Sequence, residues 1–181
     1  MSLGTLPWAP ALDRLDLLAP STAAALAAWA QVDRAVADVG VAAIDPDLAD
    51  TAALTAAYDL PLDASANCVL VAGRRAGEER IAAVVVLATT RADVNSTVKR
   101  LLDVRKASFL PTERAVAESS MEFGGITPIG LPVGWRVLVD SRVAAAGPVV
   151  VGSGVRRSKL TLPGSLLASM PGVEVVEGLG L

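Results

Sequence analysis

The sequence predicts an α/β fold with α+β-like order, in which helices flank a curled, mixed and largely antiparallel sheet of about six or seven strands. Short apolar runs rich in valine and isoleucine have the length of strands, the strongest being residues 81–88. Other segments place apolar residues three and four positions apart, which is typical of amphipathic helices. Several predicted strands follow one another after turns too short for a parallel crossover, so antiparallel pairing is expected.

Two helices are predicted in the N-terminal half of the chain. Ser21 and Thr22 provide an N-cap for the first helix, and Gly40 is a C-cap that ends it. Asp45 and Pro46 place an N-cap and a first-turn proline before the second. The predicted elements are a helix up to residue 39, a strand at 41–44 and a helix at about 46–58.

The C-terminal half predicts mainly strands. Residues 68–71 and 81–89 form a predicted hairpin with a long charged loop between them, and Asp93 is the predicted N-cap of the next helix. The remaining predictions are a strand at 107–109, a helix at 112–119, strands at 137–139, 149–151, 160–162 and 173–176, and a short helix near 164–170.

Length and composition are those of one domain over residues 1–181, with residues 1–20 as an N-terminal extension. No apolar run reaches the roughly 18–20 residues of a membrane span, and acidic residues precede the apolar stretch near the N-terminus where a signal peptide is basic. A cytoplasmic protein is therefore predicted. Cys68 is the one cysteine, so no intramolecular disulfide can form.

The chain contains no histidine. This absence excludes Ser-His-Asp and Cys-His nucleophile activation, imidazole acid–base chemistry and histidine-ligated metals. Chemistry in this protein has to use carboxylates, lysine, hydroxyls, backbone amides or the substrate itself.

The segment GGITPIGLP, residues 124–132, concentrates glycine and proline between a predicted helix and a predicted strand. Glycine permits positive φ and close approach to the backbone, whereas proline restricts φ and removes a donor. Such a loop suits a site that uses backbone amides as reagents, although a tight structural turn is the alternative interpretation.

The order of several segments resembles the YbaK/prolyl-tRNA-synthetase-associated editing-domain family. The segments are NCVLV, IAAVVVLATT, RADVNSTVKRLL, GGITPIG, WRVLVD and VVVGSGVRRSKLTL, spread over about residues 41–177. The resemblance implies a single-domain, trans-acting enzyme that hydrolyses mischarged aminoacyl-tRNA carrying a small amino acid. It implies no cofactor and no metal. Its implied partner is the acceptor end of an aminoacyl-tRNA, bound transiently, with no DNA and no membrane, and a homodimer is left open.

The resemblance also indicates which residues form the site. The amides of Gly124 and Gly125 are the predicted oxyanion donors, and Asn67 occupies the strand position where deacylases of the family have a lysine. The predicted substrate-binding residues are Thr127, Pro128, Gly130, Asp140, Gly152, Ser153, Gly154 and Lys159.

Two of the candidate side chains, Asp140 and Lys159, have two interpretations. Asp140 either caps a neighbouring turn or positions water, and Lys159 either faces the substrate or is a solvated charge. Thr51 and Tyr58 face a pocket only by analogy with the family. Cys68, alternating with valines in a strand, is predicted to be inert and buried, because no histidine is present to activate it.

Two functions remain open at this level. The first is an aminoacyl-tRNA deacylase; the second is a catalytically weak or inactive paralogue that binds an aminoacyl-tRNA end, an amino acid or a protein partner. The net charge of −3 disfavours tRNA binding, so the sequence supports at most weak or transient binding through local basic clusters. These clusters are Arg91, Lys99, Arg100, Arg105 and Lys106, and Arg156, Arg157 and Lys159.

Overall fold

A computed structural model describes residues 3–181 and confirms the predicted mixed α/β class. Within these residues the strands form two sheets, one of five strands and one of four. The strands are Ala9–Pro10 (β1), Gly40–Ala43 (β2), Ala66–Arg75 (β3), Glu78–Leu87 (β4), Ala107–Phe109 (β5), Arg136–Asp140 (β6), Pro148–Gly152 (β7), Ser158–Pro163 (β8) and Val173–Val176 (β9). The α-helices are Pro20–Ala30 (α1), Thr51–Tyr58 (α2), Lys99–Leu102 (α3), Thr112–Ser119 (α4), Ser141–Ala145 (α5) and Gly164–Ser169 (α6).

The larger sheet has the order β5-β3-β4-β6-β9 and mixes both kinds of pairing. β5, β3 and β4 pair antiparallel, whereas β4, β6 and β9 pair parallel. The smaller sheet, β1-β2-β8-β7, is antiparallel throughout. The structure thus has two sheets where one was predicted. Among residues 3–181 they contain nine strands, against the predicted six or seven.

The two sheets meet where β3 begins. Ser65, just before β3, forms a parallel bridge with Val150 in the middle of β7. The largest core cluster lies on both sides of this junction, since it contains Val85 of β4, Val151 of β7 and Leu160 of β8 together with Trp29 of α1. The junction therefore places residues from distant parts of the sequence around one cleft.

The first predicted helix is shorter than expected. α1 ends at Ala30, and a separate 3-10 turn follows at Arg34–Asp38. The Asp33 carboxylate accepts a hydrogen bond from the Ala35 amide at 2.9 Å, which starts this new turn instead of continuing the helix. The second predicted helix is likewise divided into a 3-10 turn at Pro46–Leu48 and α2.

The predicted long loop of the hairpin is also wrong. β3 and β4 pair without interruption up to Arg75 and Glu78, so that only Ala76 and Gly77 form the turn, both at positive φ. The charged residues between the apolar runs lie on the strands, where Arg75 and Arg80 pair with Asp103. The charged residues were interpreted as a loop, but charged side chains are equally compatible with the solvent-exposed end of a hairpin.

Most other elements are confirmed near their predicted bounds. Asp93 accepts hydrogen bonds from the Ser96 and Thr97 amides, as an N-cap does, although the first helical turn after it is a π-helix at Val94–Val98. β1 and α5 have no counterpart among the predicted elements.

The segment before α1 packs against the turn between β7 and β8. The Ala19 amide donates to the Ser153 carbonyl oxygen at 3.1 Å, and the Leu17 carbonyl oxygen accepts from Ser158 Oγ at 2.6 Å. This turn contains the predicted site residues Gly152, Ser153 and Gly154, so these hydrogen bonds of the N-terminal segment stabilise the turn. In residues 3–181, none of the helices combines the length and the apolar character that crossing a bilayer requires.

Candidate active site

A cleft of about 270 Å³ opens at the junction of the two sheets. Its walls come from the start of α2, the first strand of the hairpin, the loop after α4, and the facing strands β7 and β8. Four predicted site residues lie on these walls: Asn67, Gly124, Gly152 and Lys159. Thr51, assigned to a pocket by analogy, lines the cleft as well.

Asn67 is oriented by the neighbouring helix. Thr51 Oγ1 donates to Asn67 Oδ1 at 2.8 Å, which occupies the amide oxygen. The amide nitrogen has no acceptor among residues 3–181 and is available to donate. Asn67 therefore presents a neutral donor where a lysine would present a charge.

Arg156 and Lys159 position the loop after α4. The Arg156 guanidinium donates to the carbonyl oxygens of Pro46 and Phe123, joining this loop to the start of the α2 region. Lys159 Nζ donates to the Gly124 carbonyl oxygen at 3.0 Å. Gly124 has φ of +78°, and a Cβ there would collide with Arg156, so glycine suits this close approach.

The backbone amides of this loop differ in availability. The Gly125 amide donates to the Glu122 carbonyl oxygen at 2.9 Å and is already occupied by this turn. The amides of Gly124 and Ile126, both on the cleft wall, donate to none of residues 3–181. Of the two predicted donors, the Gly124 amide is therefore available in the cleft and the Gly125 amide is not. The Ile126 amide is a further available donor that was not predicted.

Lys159 is buried, with 7% of its surface exposed. It is the second residue of β8, paired with Ala42 on one side and Gly152 on the other, and its ammonium reaches the cleft. Burial, followed by the nearby positive charge of Arg156, lowers the pKa of Lys159 to about 8, while Asp50 partly opposes this shift. The ammonium uses one of its three donors on Gly124 and can direct the others into the cleft.

Gly152 permits the close packing of the loop on β7. A Cβ at this position would lie closer than 3.0 Å to the carbonyl oxygens of Gly125 and Ile126. Any larger residue would push the loop away from β7 and move the Gly124 and Ile126 amides. The lack of a side chain at Gly152 thus allows the loop to pack against β7 and to form this wall of the cleft.

Two polar residues of the cleft were missed by the sequence analysis. Ser65 is 4% exposed, and its hydroxyl has no hydrogen-bond partner among residues 3–181. Asp50 precedes α2 and places an exposed carboxylate on the wall. The N-cap pattern at Asp50 could have indicated this residue. Ser65 could not have been found from local sequence, because only the bridge to Val150 of β7 places it at the cleft.

Other predicted site residues support the loop or lie elsewhere. Ser153 is fully buried, and its hydroxyl is hydrogen-bonded within its own turn, to the carbonyl oxygen and hydroxyl of Ser158. The Gly154 amide donates to the Gly125 carbonyl oxygen at 2.7 Å. Thr127 is buried but lies off the cleft wall, and Pro128 and Gly130 line a separate apolar cavity beside α1.

Asp140 is at the end of β6, away from the cleft. Its carboxylate accepts hydrogen bonds from the Arg142 amide and side chain and from the Gly180 amide, so it caps α5 and holds the C-terminal segment. Burial alone would raise the pKa of Asp140, but these hydrogen bonds together lower it. This position matches the capping interpretation of the residue.

Cys68 borders the cleft and is half-buried. Burial raises the pKa of its thiol to about 12. We therefore expect iodoacetamide at pH 8 to leave Cys68 unmodified in the folded protein and to alkylate it rapidly in denaturant, as measured by mass spectrometry. Rapid alkylation of the folded protein would show an activated thiol. The Cys68→Ala variant should retain the activity of the wild type within about twofold, since the thiol is not used as a nucleophile.

The fold and the cleft define a class of protein: a mixed-sheet α/β domain whose site combines a buried lysine, free loop amides and an asparagine. Residues 45–169 match the family model of the aminoacyl-tRNA editing domain. Since this match spans more than half of the chain, the chain belongs to the aminoacyl-tRNA editing domain family.

Solved structures share the fold at low sequence identity. A hypothetical protein, APE2540, superposes with a TM-score of 0.73 at 18% identity, covering 86% of this chain and 99% of its own. A proposed trans-editing enzyme for prolyl tRNA synthetase superposes with a TM-score of 0.70 at 16% identity, covering 88% of this chain and 97% of its own. No curated protein matches the sequence significantly. In residues 3–181, no group of three or more Cys, Asp and Glu side chains could hold a metal ion.

Proposed function

We propose that the protein hydrolyses the ester of a mischarged aminoacyl-tRNA in the cleft between its two sheets. The observation that carries this proposal is the convergence of the Lys159 ammonium with the unpaired amides of Gly124 and Ile126 on one small cavity. Such donors stabilise the negative oxygen that develops when an ester is attacked, and each is worth about 3 kcal/mol.

The reaction requires no histidine. A water molecule attacks the ester carbonyl carbon, the bond from this carbon to the ribose oxygen breaks, and the ribose oxygen takes up the proton that the attacking water loses. An aminoacyl ester is already activated, so stabilisation of the oxyanion supplies most of the help that is needed. Lys159 carries the positive charge that Asn67 lacks, while the Asn67 amide orients the ribose by donating a hydrogen bond.

The cleft also has groups suited to the amino acid itself. The exposed Asp50 carboxylate attracts an α-ammonium group, and the Ser65 hydroxyl offers a partner to a buried polar atom. Leu54 and Val151 line the cavity, whose volume of about 270 Å³ favours a small side chain.

The pH dependence tests the charge state of Lys159. With a pKa of about 8, the lysine is mainly protonated at pH 7 and loses its charge above pH 8. We expect kcat/KM, after subtraction of spontaneous hydrolysis, to be level below pH 7 and to fall by about tenfold per pH unit well above pH 8. A rise through pH 8 would instead identify the neutral amine as a general base and contradict the proposed role.

A binding module is the second candidate, favoured by Asn67 in place of the family lysine. The experiment that separates the two incubates the protein with tRNAs misacylated with alanine, cysteine or serine. The deacylase predicts release of the amino acid well above the spontaneous rate. Binding without any release, together with a gain of hydrolysis in Asn67→Lys, would support the binding module.

A further inference from the structure

The apolar cavity beside α1 has a volume of about 530 Å³ and is separate from the cleft. Its walls come from α1, from residues 128–135 and from the segment that follows α6. Among residues 3–181, the two cavities share no lining residue. Small-molecule sites typically have volumes of about 300–1,000 Å³, so this cavity is large enough for a ligand of its own.

The walls of this cavity are apolar except for two indole N–H groups. None of the lining side chains among residues 3–181 is charged. Trp29 and Trp135 provide flat aromatic surfaces, and the thioether of Met170 is a favourable neighbour for an aromatic ring. A charged ligand would lose its hydration here without gaining a partner, so the walls favour an uncharged aromatic compound.

The indole N–H of Trp29 lacks an acceptor. Of the three tryptophans, Trp8 donates to the Leu3 carbonyl oxygen at 2.8 Å, whereas Trp29 and Trp135 donate to none of residues 3–181. Trp29 is 4% exposed, and its nitrogen is not among the completely enclosed polar atoms that lack a partner. The nitrogen therefore lies on the small accessible part of the ring, where Trp29 lines the cavity. A buried indole N–H normally has a partner, and an acceptor oxygen on a ligand would provide one.

We infer that the cavity beside α1 binds an uncharged aromatic compound with one hydrogen-bond acceptor, whose acceptor oxygen bonds to Trp29 Nε1 and whose ring packs against Trp135 and Met170. Trp135 is only half-buried, so water can accept a hydrogen bond from its nitrogen. Trp29 is consequently the donor that gains most from a ligand, because its N–H is shielded from solvent.

The proposed ligand would also contact the loop that forms a wall of the cleft. Pro128 and Gly130 line the cavity, whereas Gly124 and Ile126 of the same loop line the cleft. The loop packs directly on α1, since a Cβ at Gly130 would lie 2.5 Å from the Ser21 carbonyl oxygen. A ligand in the cavity therefore contacts this loop without entering the cleft.

The first experiment titrates the full-length protein with acetophenone and with α-methylstyrene, which has a methylene group in place of the ketone oxygen. We expect both probes to produce saturable NMR shifts of the amides around Trp29 and Gly130. Trp29→Phe keeps an aromatic ring but removes the N–H, so it should weaken acetophenone binding by about fivefold or more and α-methylstyrene binding by less than about twofold. Trp135→Phe is the matched control and should change neither affinity by more than about twofold. Equal weakening of both probes by Trp29→Phe would show that this N–H does not bind the ligand.

The second experiment fills the cavity. Ala25 lines it, so Ala25→Phe should weaken acetophenone binding by about tenfold or more. Ala24→Phe is the matched control, because Ala24 is an exposed residue of the same helix that does not line the cavity, and it should bind as the wild type does. Lys159→Met should also bind normally, since the site is independent of the proposed reaction. Unchanged binding by Ala25→Phe would overturn the inference. So would shifts of the same amides that grow with protein concentration in the absence of a probe, because a second copy of the chain would then cover the cavity.

Discussion

Replacing Lys159 with methionine is expected to lower deacylation by about 100-fold or more while making the protein more stable. The loss follows because methionine keeps the length and apolar stem of lysine but removes the charge that faces the ester. Deacylation of alanyl-tRNA and unfolding by urea, measured on the same preparation, test both halves of this prediction.

The gain in stability has a separate physical reason. The folded protein holds the pKa of Lys159 at about 8, well below the ordinary 10.5, so a charged lysine at pH 7 opposes folding by about 3 kcal/mol. Methionine removes this cost and loses the hydrogen bond to Gly124, which leaves an expected gain of about 1–2 kcal/mol. Between pH 8 and 10.5, Lys159 is neutral in the folded protein but still protonated in the unfolded chain. The free energy of unfolding of the wild type, relative to that of the variant, should therefore rise over this pH range.

The matched control is Arg34→Met, which removes a charge from an exposed position outside the cleft and outside the two basic clusters. It should change neither stability nor the reaction at saturating tRNA by more than about twofold. If Lys159→Met retained full activity, the ammonium would have no part in the chemistry. If it instead lost activity together with its fold, the buried charge would be structural.

Gly152→Ala is expected to reduce deacylation strongly and to destabilise the protein by about 1–3 kcal/mol. The added methyl group meets the carbonyl oxygens of Gly125 and Ile126, both of them backbone atoms that cannot turn aside as a side chain can. The loop has to move away from β7, and the amides of Gly124 and Ile126 lose their positions relative to Lys159. Kinetics and urea unfolding again provide the two measurements.

Gly147→Ala is the matched control for this substitution. Gly147 is exposed, has no positive φ, and a Cβ there would meet nothing within 4 Å. The control should be nearly neutral in both measurements. Normal activity in Gly152→Ala would mean that the loop tolerates displacement, and the proposed oxyanion donors would then be wrong.

Local patterns predicted much of the secondary structure because the signals are local. The N-cap at Asp93 and the short apolar strands depend on neighbouring residues, and the structure confirms them. The turn at Ala76 and Gly77 was harder to predict, since the charged residues around it belong to exposed strand ends and pair with Asp103, far along the chain.

The candidate site was only partly predictable for the same reason. Lys159 was equally compatible with solvent and with a pocket until the register placed it between Ala42 and Gly152. Gly125 was a reasonable donor from its sequence, but its amide is bonded to the Glu122 carbonyl oxygen in a local turn. The catalytic roles of Gly124 and Asn67 stay predictions that the proposed assays test.

The amino-acid sequence by itself determined the chemistry that is available: no imidazole, one cysteine, a glycine-rich loop and a chain of segments in the order typical of editing domains. Only the tertiary structure decided which of these groups share a cavity. The reason is that the cleft is made by contacts between distant residues, such as Ser65 with Val150 and Lys159 with Gly124, and these depend on sheet register and loop packing, which no local pattern encodes.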